Sequence, residues 1–169
     1  MMNRQELEKL FKARGYRDFR WIDPKTIVVG HWVRMKCLFG CVDYGKCAAC
    51  PPEVPPVEDC ERFFREYKTV AVFHFEKAVE KPEDRHAWTK PINEKLLDLE
   101  RELFLAGHYK AFLLPMDSCA LCEPCTGRRA ACKEPKRARP TPDAWPWTST
   151  PRSVRSATRS RSWPIISRL

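Results

Sequence analysis

The chain has 169 residues, enough for one modest domain with a real core. No apolar run approaches the ~20 residues of a membrane-spanning helix, and Met1-Met2-Asn3-Arg4-Gln5-Glu6 places charge where an apolar export signal would sit, so the expectation is a soluble, cytoplasmic protein without a membrane partner. The formal charge of +9 would ordinarily point to nucleic acid, but residues from Lys136 onward carry a net +7, which leaves +2 for residues 1–135 and makes a nucleic-acid partner a poor expectation.

Leu7, Leu10 and Phe11 recur at helical spacing among Glu6, Lys9, Lys12 and Arg14, and Gly15 follows as a natural stop, which predicts an amphipathic helix. Thr26 to Met35 is rich in β-branched and aromatic residues and predicts a strand that leads straight into Cys37. Pro55-Pro56 opens a second helix over residues 57–67. Val57, Cys60, Phe64 and Tyr67 share one of its faces, so Cys60 reads as a packing residue rather than a ligand. Residues 69–75 form a nearly continuous apolar run, as in a strand covered on both faces; His74 within it reads as a core histidine with a satisfied hydrogen bond.

Residues 77–90 are charged and read as a loop or the start of a helix. From Pro91 onward Ile92, Leu96, Leu99 and Leu103 predict a long amphipathic helix ending near Gly107. Residues 110–114 supply a further strand that delivers the chain to Cys119. This order predicts an α/β or α+β fold: a small central sheet with packed helices and two cysteine-rich metal-binding loops, each following a strand. Were those two strands parallel, the loops would leave one edge and face each other.

Residues 1–144 form the expected cysteine-rich domain. Residues 145–169 differ: they are rich in Arg, Ser, Pro and Thr, hold Trp145, Trp147 and Trp163, and show neither helical nor strand periodicity. Three readings stand for this tail: a disordered basic arm, an RNA-binding segment, or a stretch translated in a shifted frame. The neighbouring frame, with wobble bases chosen freely, permits LAVDVYATVRKVGYPIEVL, which alternates like a strand and offers a Gly-Tyr-Pro turn. On any of these readings, few core contacts are expected from Trp145 onward, because scattered tryptophans without an apolar face bury too little area to offset a backbone-ordering cost of ~1–2 kcal/mol per residue.

Eight of the nine cysteines fall into two tight groups. Cys119, Cys122, Cys125 and Cys132 read C-x2-C-x2-C-x6-C, and the first three have the spacing that wraps three corners of a [4Fe–4S] cluster. Cys37, Cys41, Cys47 and Cys50 read C-x3-C-x5-C-x2-C and run into Pro51-Pro52, so the chain turns away just after a sulfur, as it does after the last cysteine of ferredoxin-type runs. Disulfides or buried reduced thiols are the bland alternative. Without an export signal, dense cysteine favours metal or redox chemistry. Two four-thiolate sites are therefore expected, one per group.

Cys37, Cys41, Tyr44-Gly45 and Cys50-Pro51-Pro52, followed by Cys119, Cys122, Cys125, Cys132, Pro135 and Arg139-Pro140, resemble an uncharacterised prokaryotic family of small, cysteine-rich, predicted metal-binding proteins. The resemblance spans roughly residues 33–142. It implies metal binding and no particular reaction, with Cys37, Cys41 and Cys50 as the first motif's ligands and Cys47 as an additional cysteine able to close an otherwise open corner. Family members usually continue after Arg-Pro into a Ser-x-Glu-Ala-x-Gly-Ile-Asp-Val-like stretch; this chain departs at Thr141-Pro142-Asp143-Ala144, and the shifted frame restores an Asp-Val. The functional expectation is a redox or electron-transfer module with one or two [4Fe–4S] clusters and a redox partner protein. The alternatives are a structural zinc domain or an enzyme with an open metal site. No G-x-S-x-G, P-loop, Rossmann glycine pattern or H-E-x-x-H is present. Oligomeric state is left open.

Overall fold

The computed structural model describes residues 2–76, 84–148 and 165–168. Helix α1 (Arg4–Ala13) starts at a capping box: the Asn3 side chain accepts from the Glu6 N–H at 3.0 Å, and the Glu6 carboxylate accepts from the Asn3 N–H at 2.6 Å. It ends as foreseen at Gly15, whose φ of +89° lets the Tyr16 N–H fold back onto the Phe11 carbonyl. Strand β1 (Phe19–Ile22), which the sequence reading lacked, pairs antiparallel with β3 (Thr69–Phe73).

The strand expected over residues 26–35 is corrected. Only β2 (Val28–Val29) is extended there, after a 3-10 turn at Pro24–Thr26, and helix α2 (His31–Gly40) follows. Gly30 breaks the extended run, and Arg34, Met35, Lys36 and Leu38 beyond it are straight-chain helix formers. Cys37 thus lies in the last turn of a helix and does not follow a strand.

Helix α3 (Val57–Arg65) buries Val57, Cys60 and Phe64 as expected. Helix α4 (Arg85–Leu105) starts a turn and a half earlier than read and takes Pro91 into its body, at the loss of one hydrogen bond to the Ala87 carbonyl. Strand β4 (Phe112–Leu114) follows; the expectation for residues 77–83 lies outside the described residues.

Side chains alternate along β3 and β4 and feed two cores. Ala71, Phe73 and Leu113 face α1 and α4, packing with Leu7, Phe11, Leu96, Leu99 and Leu103. Val70, Val72 and Leu114 face the other way, toward Cys60 and Phe64 of α3. A sheet covered on both faces makes the fold α+β, with the continuous apolar run of β3 at its centre. His74, just past β3, pairs with the Asp18 carboxylate at 2.7 Å.

The expectation that residues from Trp145 onward make few core contacts is overturned for the segments described. Trp145 and Trp147 are buried in the α3-side core; the Trp145 ring stacks on Phe112 and meets Phe63 edge-on, with centroids 5.2 and 4.2 Å apart. Strand β5 (Trp147–Thr148) pairs with β2, and the Gly30 N–H donates to the Pro146 carbonyl at 2.9 Å. Strand β6 (Ile165–Arg168) lies between β3 and β4, antiparallel to both, giving the order β1-β3-β6-β4. The neighbouring aromatic rings Phe63, Phe64 and Phe112 supply the partners that periodicity within the tail does not reveal. Trp163 and the rest of residues 149–164 lie outside the described residues. Among the described residues, no helix is long and apolar enough to cross a membrane.

Candidate metal centre

The first cysteine group runs from the end of α2 through a series of tight turns. The Cys41 N–H caps α2 on the Cys37 carbonyl at 3.3 Å, Tyr44 bonds back to Cys41 at 3.2 Å, and Cys50 to Cys47 at 3.1 Å. Gly45, at φ +74°, turns the chain so that its N–H reaches the Pro51 carbonyl at 3.1 Å and closes the loop. Arg34 holds this loop to the rest of the fold, donating to the carbonyls of Pro55 at 3.3 Å and Ala144 at 3.0 Å.

The second group hangs from α4 by buried polar side chains. The Asn93 amide donates to the Met116 carbonyl at 2.9 Å and accepts from the Met116 N–H at 3.1 Å, fixing the backbone just ahead of Cys119. Asp117, at φ +65°, is held by His86 at 2.6 Å and Thr89 at 3.3 Å. Two turns along α4, Glu100 is 5% exposed; its carboxylate accepts from the Leu113 N–H at 2.9 Å and pairs with Arg139 at 2.9 and 3.0 Å. Arg139 of the Arg-Pro motif is therefore a half-buried anchor for the far end of the second loop. None of Asn93, Glu100 and Arg34 was singled out from sequence. The available signal was an amide and a carboxylate lying along the Leu96, Leu99 and Leu103 face, since a polar group on a core-facing position needs a partner.

The two loops pack against each other. A Cβ on Gly127 would sit 3.3 Å from the Gly45 carbonyl oxygen, a tight approach, and its φ of +73° is the conformation that favours glycine. The Arg129 N–H donates to the Glu53 carboxylate at 2.7 Å and the Ala48 N–H to Cys125 Sγ at 3.4 Å. Cys47 sits near the junction, with the thiols of Cys50 and Cys125 and the backbone of Ala49 and Cys119 in its surroundings. These donors, led by Cys50, lower Cys47 to about 6 against the opposing effect of burial. Sharing that proton pushes Cys50 far upward, reinforced by burial and by the charges of Cys47, Cys41 and Cys37. Burial, then Asp143 and Cys41, raises Cys37; burial leads the rise at Cys119.

The structure thus brings Cys125 of the second loop against the Cys47–Cys50 turn of the first, through the Ala48 N–H. All nine cysteines are unpaired thiols, and Cys60 is fully buried away from this cluster, as expected. Among the described residues no three side chains already surround a common point as they would a bound ion. The donor chemistry nonetheless fits a metal. Eight thiols are carried on two interlocked loops, and the Ala48 N–H of one aims at the Cys125 sulfur of the other.

No curated protein and no solved structure matches the chain. A family described as predicted metal-binding protein (DUF2284) matches residues 20–146, from β1 through both cysteine loops to the buried Trp145-Pro146. The chain belongs to this family of predicted metal-binding proteins.

Proposed function

We propose that the two loops hold iron as one or two [4Fe–4S] clusters, ligated from Cys37, Cys41, Cys47, Cys50, Cys119, Cys122, Cys125 and Cys132, and that the protein is a redox or electron-transfer module with a protein partner. Such a cluster supplies one-electron transfer. The observation that carries the reading is the meeting of a C-x2-C-x2-C run with a second cysteine loop on a backbone scaffold anchored by Asn93, Glu100 and Arg34. The chain's own groups would tune the centre. The Ala48 N–H at Cys125 Sγ disperses thiolate charge, and the turns around Cys47 and Cys50 restrict water on one side, while exposed Cys41 and Cys125 leave an edge open for electron exit. The exposed basic residues Arg128, Arg129, Lys133, Lys136 and Arg137, which flank Cys132 in sequence, would steer an acidic redox protein toward the second loop.

The test is anaerobic purification followed by iron, zinc and acid-labile sulfide analysis. Iron and sulfide in equal amounts with a brown chromophore support the proposal. Stoichiometric zinc without sulfide or colour replaces it with a structural zinc domain, and a chain free of both ends the metal reading.

A further inference from the structure

We infer that helix α2 is the core of a homodimer interface, packed antiparallel against α2 of a second copy of this chain. The inner face of α2 is already used: Val33 is buried, and one turn on the Cys37 thiol meets the Asp143 carbonyl at 3.9 Å. The opposite face should be polar in a helix that borders water. It carries Trp32, Met35, Leu38 and Phe39 instead, and Val42 extends the exposed apolar run two residues past the helix. Phe39 is 83% exposed, Val42 82% and Trp32 54%. With ~150–250 Å² for a large aromatic side chain, these five residues offer on the order of 600 Å² of apolar surface, the upper end for a monomer's largest patch and most of the ~800 Å² each partner gives a specific interface. The charges around the stripe choose its occupant. At its N-terminal end His31 pairs with Glu58 at 3.3 Å, and beyond its C-terminal end Lys46 pairs with Asp43 at 3.8 Å, all four exposed. Each end thus carries both signs, a rim too balanced for an anionic membrane or a strongly charged protein. It complements itself. A two-fold axis level with Cys37 sets Trp32 opposite Val42 of the second copy and Met35 opposite Phe39, and brings His31 toward Asp43 and Glu58 toward Lys46. Lys36, also exposed on α2, lies over the Trp32 ring at 5.0 Å.

The inference does not rest on the metal reading. Sedimentation equilibrium tests it over a range of concentrations on the full chain, purified anaerobically with reductant, alongside Phe39→Glu and Met35→Glu. Wild type should sediment as a dimer that dissociates on dilution. Each variant should raise the dissociation constant at least ~30-fold, as loss of a central apolar anchor does. Circular dichroism should stay unchanged, because both side chains face water in the single chain. Charge exchange tests the orientation: His31→Glu should weaken the dimer, and His31→Glu combined with Asp43→Lys should restore it. A double variant weaker than His31→Glu alone overturns the antiparallel arrangement. A wild-type chain that is monomeric at every concentration overturns the proposal, and so does a dimer that both glutamate variants leave intact, since its interface then lies elsewhere. Hydroxyl-radical footprinting of wild type covers variants that fail to fold. Oxidation of Trp32, Met35 and Phe39 should fall as concentration rises through the dissociation constant, and oxidation that does not change overturns the interface.

Discussion

Glu100 and Arg139 form the most consequential pair of side chains outside the cysteines, because the carboxylate answers both a backbone N–H of β4 and the guanidinium that ends the second loop. Arg139→Ala leaves that carboxylate buried with half its partners. The expected cost is about 3 kcal/mol, at the low end for a broken buried pair because Arg139 is partly exposed, read as a lower urea midpoint together with weaker metal retention. Arg139→Lys keeps the charge but loses the fork, so it should recover only part of the loss. Cys60 is the contrasting cysteine. Burial pushes its thiol up to about 11, so native protein at pH 8 should leave Cys60 unmodified by iodoacetamide while the loop cysteines of the metal-free chain react. The linkage has a definite sign: the unfolded thiol ionises near its ordinary 9.0 and the folded one only near 11, so the folded state holds the proton longer and stability falls as pH rises between those values. Cys60→Ala should remove that part of the alkaline slope and leave metal content unchanged; a drop in metal would make Cys60 a ligand.

At the scale of elements, helices α1, α3 and α4 and strands β3 and β4 were legible because each satisfies its own pattern: an amphipathic face, or an apolar run between turn signals. Cys60 was read correctly for the same reason, whereas His74 finds its expected hydrogen bond but lies half-buried just past β3 and not in the core. What was not legible depends on partners distant in sequence. Strand β1 is only four residues long, and β5 is extended because β2 lies opposite it. Helix α2 was mistaken for a strand because Trp32, Met35, Leu38 and Phe39 are exposed apolar residues, so the polarity contrast that reports a helix is missing. The contact between Ala48 and Cys125 is a property of two loops and has no signature in either. Asn93 shows how elements hold the site: Asn93→Ala removes both hydrogen bonds to Met116 and leaves that backbone buried and unpaired, at an expected cost of about 2–3 kcal/mol. Amide exchange should accelerate at Met116 more than in α1. That residues 145–169 arise from a shifted reading frame is a proposal of its own, and sequencing the coding DNA across Ala144 to Leu169 decides it: an inserted or missing base supports it, and an intact frame ends it.

Across the whole molecule, the sheet and the metal loops are two layers of stability linked by α4. Chelating metal from the protein should lower the melting temperature and speed exchange in residues 37–53 and 117–139, while amides of α1, β3 and the second half of α4 keep their protection, since their core of Phe11, Phe73, Leu96 and Leu113 is independent of the thiols. Removing residues 145–169 acts on the other layer. Trp145 alone fills a space between Phe63 and Phe112, and truncating a buried tryptophan costs about 3–5 kcal/mol, so the shortened chain should lose its cooperative thermal transition. Strand β6 carries a further consequence for how the protein is made. It is synthesised after β3 and β4 yet pairs with both, from Val72 opposite Ile165 on one side to Leu114 opposite Ile165 on the other. On the ribosome, both cysteine loops therefore emerge while the sheet beneath them still has an open slot. Pairing of high sequence separation closes last and slowly, so the nascent chain passes through a period in which reactive thiols are displayed on an unfinished scaffold, and a cell producing it has reason to deliver metal after release of the chain rather than during its synthesis.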